Sequence, residues 1–139
     1  MTQPLGFLTF DVANDEALRS QFIEELATSP SPFTVEHWSL KVQHPMEEWH
    51  KLVRGHIGRC DFLVVLVGAN TGTAENVTRE IQFAKQTNVP FFGVRAAGVA
   101  ASVSLPPGLP ANRVVSWDWK HIAAAVDQLQ SEGKHHVFA

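Results

Sequence analysis

Two places in the sequence bring together residues that could do chemistry. One is Phe10-Asp11, an aromatic and an acid closing the apolar run Leu5 to Phe10. The other is Gly68-Ala69-Asn70-Thr71-Gly72-Thr73, which follows the run Asp61 to Val67 and leads into a helical pattern. Backbone N–H groups of a glycine-rich loop entering a helix can hold an anionic group, although glycines also serve simply to turn a chain. The loop is not a P-loop, because the Gly-Lys-Ser/Thr core is absent. A flavodoxin phosphate loop would follow the first strand, where Asp11-Val12-Ala13-Asn14 stands. A phospho-receiver would need an aspartate ending the third strand and a lysine ending the fifth, and Gly68 and no lysine fill those places.

Other reactive residue types converge less. Trp38, Trp49, Trp117 and Trp119 could stack on a base, although tryptophans more often serve cores and interfaces; of these Trp38, at the end of the second β-prone segment, is the best ligand candidate. His44, His50 and His56 step by six, which puts them on no shared helix face, and no carboxylate completes a metal set. No metal is therefore expected. Cys60 precedes a buried run and has no paired histidine, so it reads as a packed thiol rather than a nucleophile.

The elements that must position these residues follow from hydrophobic period and turn residues. Leu5 to Phe10 reads as a buried strand. Asn14-Asp15-Glu16 offers a capping residue and acids for a helix carrying Leu18, Phe22, Ile23 and Leu26 inward and closed by Ser29-Pro30. Phe33 to Trp38 alternates as an edge strand does. A helix from about Pro45 to Gly58 turns Met46, Trp49, Leu52, Val53 and Ile57 inward. The continuous apolar run Phe62 to Val67 reads as the central strand of a parallel sheet. A helix follows from about Ala74 to Thr87 with Val77, Ile81 and Ala84 inward, then strands at Pro90 to Arg95 and Val114-Val115. His121 to Leu129 is the closing helix, with Ile122, Val126 and Leu129 inward. Ala96 to Asn112 carries no helical stripe where the rhythm calls for a helix, and loops that long are often functional or mobile.

Alternating strands and helices imply βαβ units and right-handed crossovers. The expected fold is α/β: a flavodoxin-like three-layer α/β/α arrangement with a five-stranded parallel sheet in the order 2-1-3-4-5. A chain of 139 residues suits one domain over 1–139, with its core at about 5–130 and a tail at 131–139. At 45% hydrophobic and 18% charged it can build a real core. No apolar run approaches the ~18 residues that span a membrane, and Met1-Thr2-Gln3-Pro4 has no basic residues ahead of an apolar segment. The lone cysteine fits a reducing compartment, so the expectation is a cytoplasmic protein. Net charge is −3 with the basic residues scattered, which speaks against nucleic acid and anionic membranes as partners. A small ligand or another protein is expected instead. In an open parallel sheet of this order, ligands bind outside the carboxyl ends of the first and third strands. Phe10, Asp11 and Gly68 to Thr73 stand there.

These residues carry a family resemblance. Phe7-Leu8-Thr9-Phe10-Asp11 followed by Asn14-Asp15 resembles the opening strand of TIR-like domains. Ile57-Gly58-Arg59-Cys60-Asp61 and Phe62 to Gly68 are similar to the family's helix end and following strand. Asn70-Thr71, Val77, Glu80-Ile81, Ala84 and Asn88-Val89-Pro90-Phe91-Phe92-Gly93-Val94 continue the match. The likeness runs from about Leu5 to Val94 and is nearest the small stand-alone prokaryotic TIR-like proteins, including the signalling component of Thoeris antiphage defence.

The resemblance implies cleavage of the N-glycosidic bond of NAD, releasing nicotinamide and a linear or cyclic ADP-ribose product, with NAD as substrate and no cofactor. It maps the family's catalytic glutamate onto Glu80. A carboxylate there suits the chemistry, since breaking a ribosyl–nitrogen bond builds oxocarbenium charge on the sugar. Glu80 stands beside Ile81 and three residues after Val77, at the border of the buried stripe. Phe10, Asp11, Trp38, Gly68, Asn70, Thr71 and Asn76 are the expected substrate-binding residues. Many members carry Trp four residues before the glutamate and Ser six before; here Asn76 and Ala74 stand there, so the usual stacking contact for a base is missing. The family further implies self-association, through segments such as Lys41 to His44 and Ala96 to Asn112, and an effector protein reached through the nucleotide signal. Two other functions stay open: a non-catalytic TIR-like interaction module, and a nucleoside 2-deoxyribosyltransferase-like enzyme, to which Gly72-Thr73-Ala74 is similar and in which Glu75 competes with Glu80.

Overall fold

The run Phe62 to Val67 is apolar at every position because both faces of its strand are covered. In the computed structural model, which describes residues 4–29, 33–36 and 46–132, all six of these side chains are fully buried. Side chains alternate across a strand. Leu63, Val65 and Val67 join one core with Val53, Ile57, Val77 and Ile81. Phe62, Val64 and Leu66 join another with Phe22, Ile122, Val126 and Leu129.

The elements in chain order are β1 (Leu5–Thr9), α1 (Glu16–Thr28), β2 (Thr34–Glu36), α2 (Met46–Arg59), β3 (Phe62–Val67), α3 (Glu75–Gln86), β4 (Phe91–Arg95), β5 (Val114–Ser116) and α4 (Trp119–Glu132). Short 3₁₀ turns at Thr71–Thr73 and Ala111–Arg113 precede α3 and β5. The strands form one sheet in the order β2-β1-β3-β4-β5, every pair parallel. Helices α1 and α4 contribute to the core on one face and α2 and α3 to the core on the other. This is the flavodoxin-like order expected from the alternation of elements. Among the described residues no helix is long and apolar enough to cross a membrane.

Three contacts show how the sequence fixes this frame. Gly6 pairs with Phe62 between β1 and β3, and a Cβ there would lie 2.4 Å from the Phe62 ring. Asp61 joins the α2–β3 corner to β1: its Oδ2 accepts from the Leu5 N–H at 2.9 Å, and its own N–H donates to the Leu5 carbonyl at 2.6 Å. Helix α3 ends with Asn88 at φ 56°, a left-handed conformation that asparagine tolerates. The Val89 N–H then reaches the Ala84 carbonyl at 2.8 Å and the Asn88 N–H the Lys85 carbonyl at 3.2 Å, which satisfies carbonyls that a helix end would leave open.

Several expectations are corrected. Leu52 faces solvent at 41% exposure, because Val53 and Ile57, four apart, define the inward line of α2 and Leu52 sits about 100° from it. Helix α2 continues one residue past Gly58, to Arg59. Asp15 stands at the N-cap of α1 but makes no capping bond; its carboxyl engages Thr71 instead. The segment between β4 and β5 has no α-helix, as its missing stripe implies, and apart from the 3₁₀ turn at its end it packs as a loop: Leu109 is buried, and Val103 and Leu105 lie against the core on the α2–α3 face. Trp38, Lys41 to His44 and the tail from Gly133 lie outside the described residues, as do the side chains of Met46 and Trp49.

Trp117 and Trp119 serve the core. Both indole N–H groups donate to Glu25 Oε1, at 2.9 and 2.8 Å, and both rings contact Phe22. Burial pushes the Glu25 carboxyl up, but the hydrogen bonds from Trp119, Gln21 and Trp117 outweigh it and hold the group below its ordinary value. A lowered native pKa adds stability above the ordinary carboxylate range, and that stability is lost as pH falls through it. Glu25→Ala should therefore cost about 1–2 kcal/mol at pH 7. Thermal melts of both proteins at pH 7 and pH 3 check this, and the gap should narrow at the lower pH.

Candidate functional site

The carboxyl ends of β1 and β3 lie side by side, since Thr9 pairs with Val65. Chain leaves β1 through Phe10 and Asp11 and leaves β3 through Gly68, and the first turns of α3 close over this corner. Phe10 is 2% exposed, so what it offers is its carbonyl, which accepts from Asn76 Nδ2 at 2.8 Å. The same Nδ2 reaches Glu80 Oε2 at 3.2 Å. Residues 76 and 80 are one helical turn apart on one face of α3. Asn76 thus ties α3 to the end of β1 and holds the carboxyl of Glu80.

Glu80 is partly buried. Burial is the main influence on its carboxyl and pushes its pKa up to about 7; the hydrogen bond from Asn76, the nearby Thr9 hydroxyl and the charge of Arg79 oppose the rise. A group near pH 7 exchanges its proton under ordinary conditions, as acids and bases of enzyme sites do.

The loops around Glu80 are held by a second polar cluster. Thr71 is fully buried, and its Oγ1 accepts from the Gly68 N–H at 2.7 Å. That hydroxyl faces Asp15 Oδ2 and the Leu66 carbonyl, each at 3.3 Å. Gly68 is required here, because a Cβ would lie 2.5 Å from Asp15 Oδ2. Burial raises the Asp15 carboxyl above its ordinary value, the Thr71 hydrogen bond opposes this, and the nearby Asp11 charge adds to it. Asp11 is itself buried and accepts from the Ala13 N–H at 3.1 Å and Asn14 Nδ2 at 2.7 Å.

The residues singled out from sequence therefore fall into two groups. Asn76, Glu80 and the Phe10 carbonyl come together as one unit. Asp11, Gly68 and Thr71 make contacts within the protein that shape the β1–α1 and β3–α3 loops, while Asn70 is exposed and makes no side-chain cap bond to the 3₁₀ turn. An open groove of about 280 Å³ lies on the outer face of α3, lined by Glu75, Thr78, Arg79 and Gln82 with Pro107 opposite. Glu80 does not line it, so the groove and the polar corner are separate features. Among the described residues no three His, Cys, Asp or Glu side chains form a metal-binding group. Thr9 was not among the residues picked from sequence, where it is one more β-branched residue in a strand.

A parallel sheet of this order with polar residues gathered where β1 and β3 end belongs to the flavodoxin-like class that includes TIR-like domains. The family model of the Thoeris protein ThsB, TIR-like domain, matches residues 7–101, more than half of the chain, and the chain belongs to that family. No curated protein matches it. Among solved structures, a CMP N-glycosidase of Clostridium botulinum, BcmB, is 17% identical with a TM-score of 0.48, over 89% of this chain and 98% of that one. A prokaryotic SEFIR domain is 12% identical with a TM-score of 0.49, over 92% of this chain and 90% of that one. At these levels neither likeness says what this chain acts on.

Proposed function

We propose that the protein is an NAD-cleaving signalling enzyme of the Thoeris type, with Glu80 as the reacting carboxylate. The observation that carries this reading is the Phe10–Asn76–Glu80 unit. It sets a partly buried carboxyl with a pKa of about 7 where β1 and β3 end, the place at which such sheets bind ligands. In the proposed reaction the C1′–N bond of the nicotinamide riboside breaks, and its electron pair neutralises the pyridinium nitrogen. The ionised Glu80 stabilises the cation left on the sugar and orients the ribose hydroxyls. Addition of water gives ADP-ribose with loss of a proton; attack by a nitrogen of the substrate's own adenine gives a cyclic product. The cationic nicotinamide riboside favours the charged form of Glu80 on binding.

Asn76 occupies the position at which many family members place an aromatic residue. Its amide is engaged by the protein, so base stacking in this chain would have to come from elsewhere, such as a neighbouring protomer. Nicotinamide release per chain should then rise with protein concentration. Incubation of the purified protein with NAD over a wide concentration range, and separately with deoxynucleosides, tests the reading by chromatography of the released base. Nicotinamide from NAD with rising specific activity is the expected result. Base release from deoxynucleosides alone would favour the deoxyribosyltransferase-like alternative, and no release from either substrate would favour a non-catalytic module.

A further inference from the structure

Thr9 closes β1, and strand alternation from Phe7 puts its side chain on the α2–α3 face of the sheet. The residue is 1% exposed and its Oγ1 has no hydrogen-bond partner. Buried hydroxyls nearly always have one, and an exception calls for an explanation. Shape alone would be served by valine, which fills the same volume and carries no hydroxyl to desolvate. The carboxyl that lies toward Thr9 is that of Glu80: Asn76 Nδ2 spans the carbonyl of Phe10, next in the chain to Thr9, and Glu80 Oε2, at 2.8 and 3.2 Å, and a hydroxyl in that place favours the ionised carboxylate.

We infer that Thr9 is a positioning residue for Glu80: its buried hydroxyl closes onto the carboxylate when that group is charged, so that Thr9 from β1 and Asn76 from α3 fix it between them. The inference rests on reading Glu80 as the reacting carboxylate, but its test does not require turnover. Arg79, on the same helix, is the charged group that acts on Glu80. Asp11 and Asp15, at the β1–α1 corner, have their carboxyls turned to Ala13 and Asn14 and to Thr71.

The experiment is a carboxyl ¹³C NMR titration of Glu80, its signal assigned by loss in Glu80→Gln, run on wild type, Thr9→Val and Thr9→Ser. Thr9→Val should melt no lower than wild type, because it removes an unpartnered buried hydroxyl and keeps the shape. Its Glu80 midpoint should move up by about one unit, a tenfold change in the ionisation ratio. Thr9→Ser should titrate as wild type does. In nicotinamide release at pH 7, Thr9→Val should lower kcat/KM by about fivefold, the loss of ionised Glu80 in the free protein that such a shift produces. The acidic limb of the kcat/KM profile should move up with the midpoint. If Thr9→Val does not fold, Thr9→Cys, a weaker donor of similar size, should move the midpoint in the same direction. Identical midpoints for wild type and the variant lacking the hydroxyl overturn the inference. A shifted midpoint in a protein that releases no nicotinamide keeps Thr9 as the partner of Glu80 and removes the NAD-cleaving reading.

Discussion

Glu80→Gln is expected to lower nicotinamide release by about 100- to 1,000-fold, the usual cost of removing one electrostatic contact to a transition state. The change is nearly isosteric, and the amide can still meet Asn76, so the fold should survive. Glu75→Gln provides the control within the same helix: Glu75 is exposed at the first turn of α3 and lines the outer groove rather than the polar corner. It should lose little. The same substitution has an opposite signature in stability. The native pKa of Glu80 is raised to about 7, above its unfolded value, so between those two values the folded chain holds a proton that the unfolded chain has released. Stability therefore falls as pH rises through that window. Glu80→Gln removes the titration and should melt higher than wild type at pH 8, with the difference shrinking toward pH 4.5. A variant that is more stable and much less active is what a carboxylate kept for chemistry predicts.

The second large effect is on the fold. Thr71→Val deletes a fully buried hydroxyl that serves the Gly68 N–H, Asp15 and the Leu66 carbonyl together. Valine fills the space but leaves these groups without that partner in a site too tight for repair, since Gly68 already abuts Asp15. Leaving a buried donor and a buried carboxyl unmatched should cost about 2–4 kcal/mol, a large share of the stability of a chain this size. Melting should fall by roughly 8–15 °C. Thr71→Ser, which keeps the hydroxyl, should recover most of that loss; an unchanged melting temperature for Thr71→Val would show that the cluster does not hold the two loops together.

What could be read from sequence follows the range of the interactions involved. The run Phe62 to Val67 announced a strand covered on both faces, and the alternation of elements announced a parallel α/β sheet, because hydrophobic period is a local property repeated many times. Gly68 and the acid at Asp11 marked the strand ends for the same reason. The order of the strands came from the fold class and not from the residues themselves. The pairings that build the corner are long in sequence and leave no local trace. Asn76 meets the Phe10 carbonyl across 66 residues, and Asp15, which reads as a helix cap, is drawn to Thr71 across 56. Glu25 looks like a solvated helix acid, yet it receives both indoles from the far end of the chain. Leu52 shows the opposite failure: a leucine beside the inward line of α2 suits the pattern but points outward. The segment between β4 and β5 has no period at all, and its burial of Leu109 comes from isolated apolar residues.

The central claim is that Glu80 acts on the ribosyl–nitrogen bond of NAD, and a single-turnover assay tests it most directly. Protein in excess over NAD, at the highest concentration that stays in solution, removes any dependence on fast product release and favours assembly. Wild type should convert the NAD to nicotinamide and an ADP-ribose product in equal amounts, while Glu80→Gln under the same conditions leaves nearly all of it intact. Equal conversion by the two proteins, or none by wild type, would contradict the account.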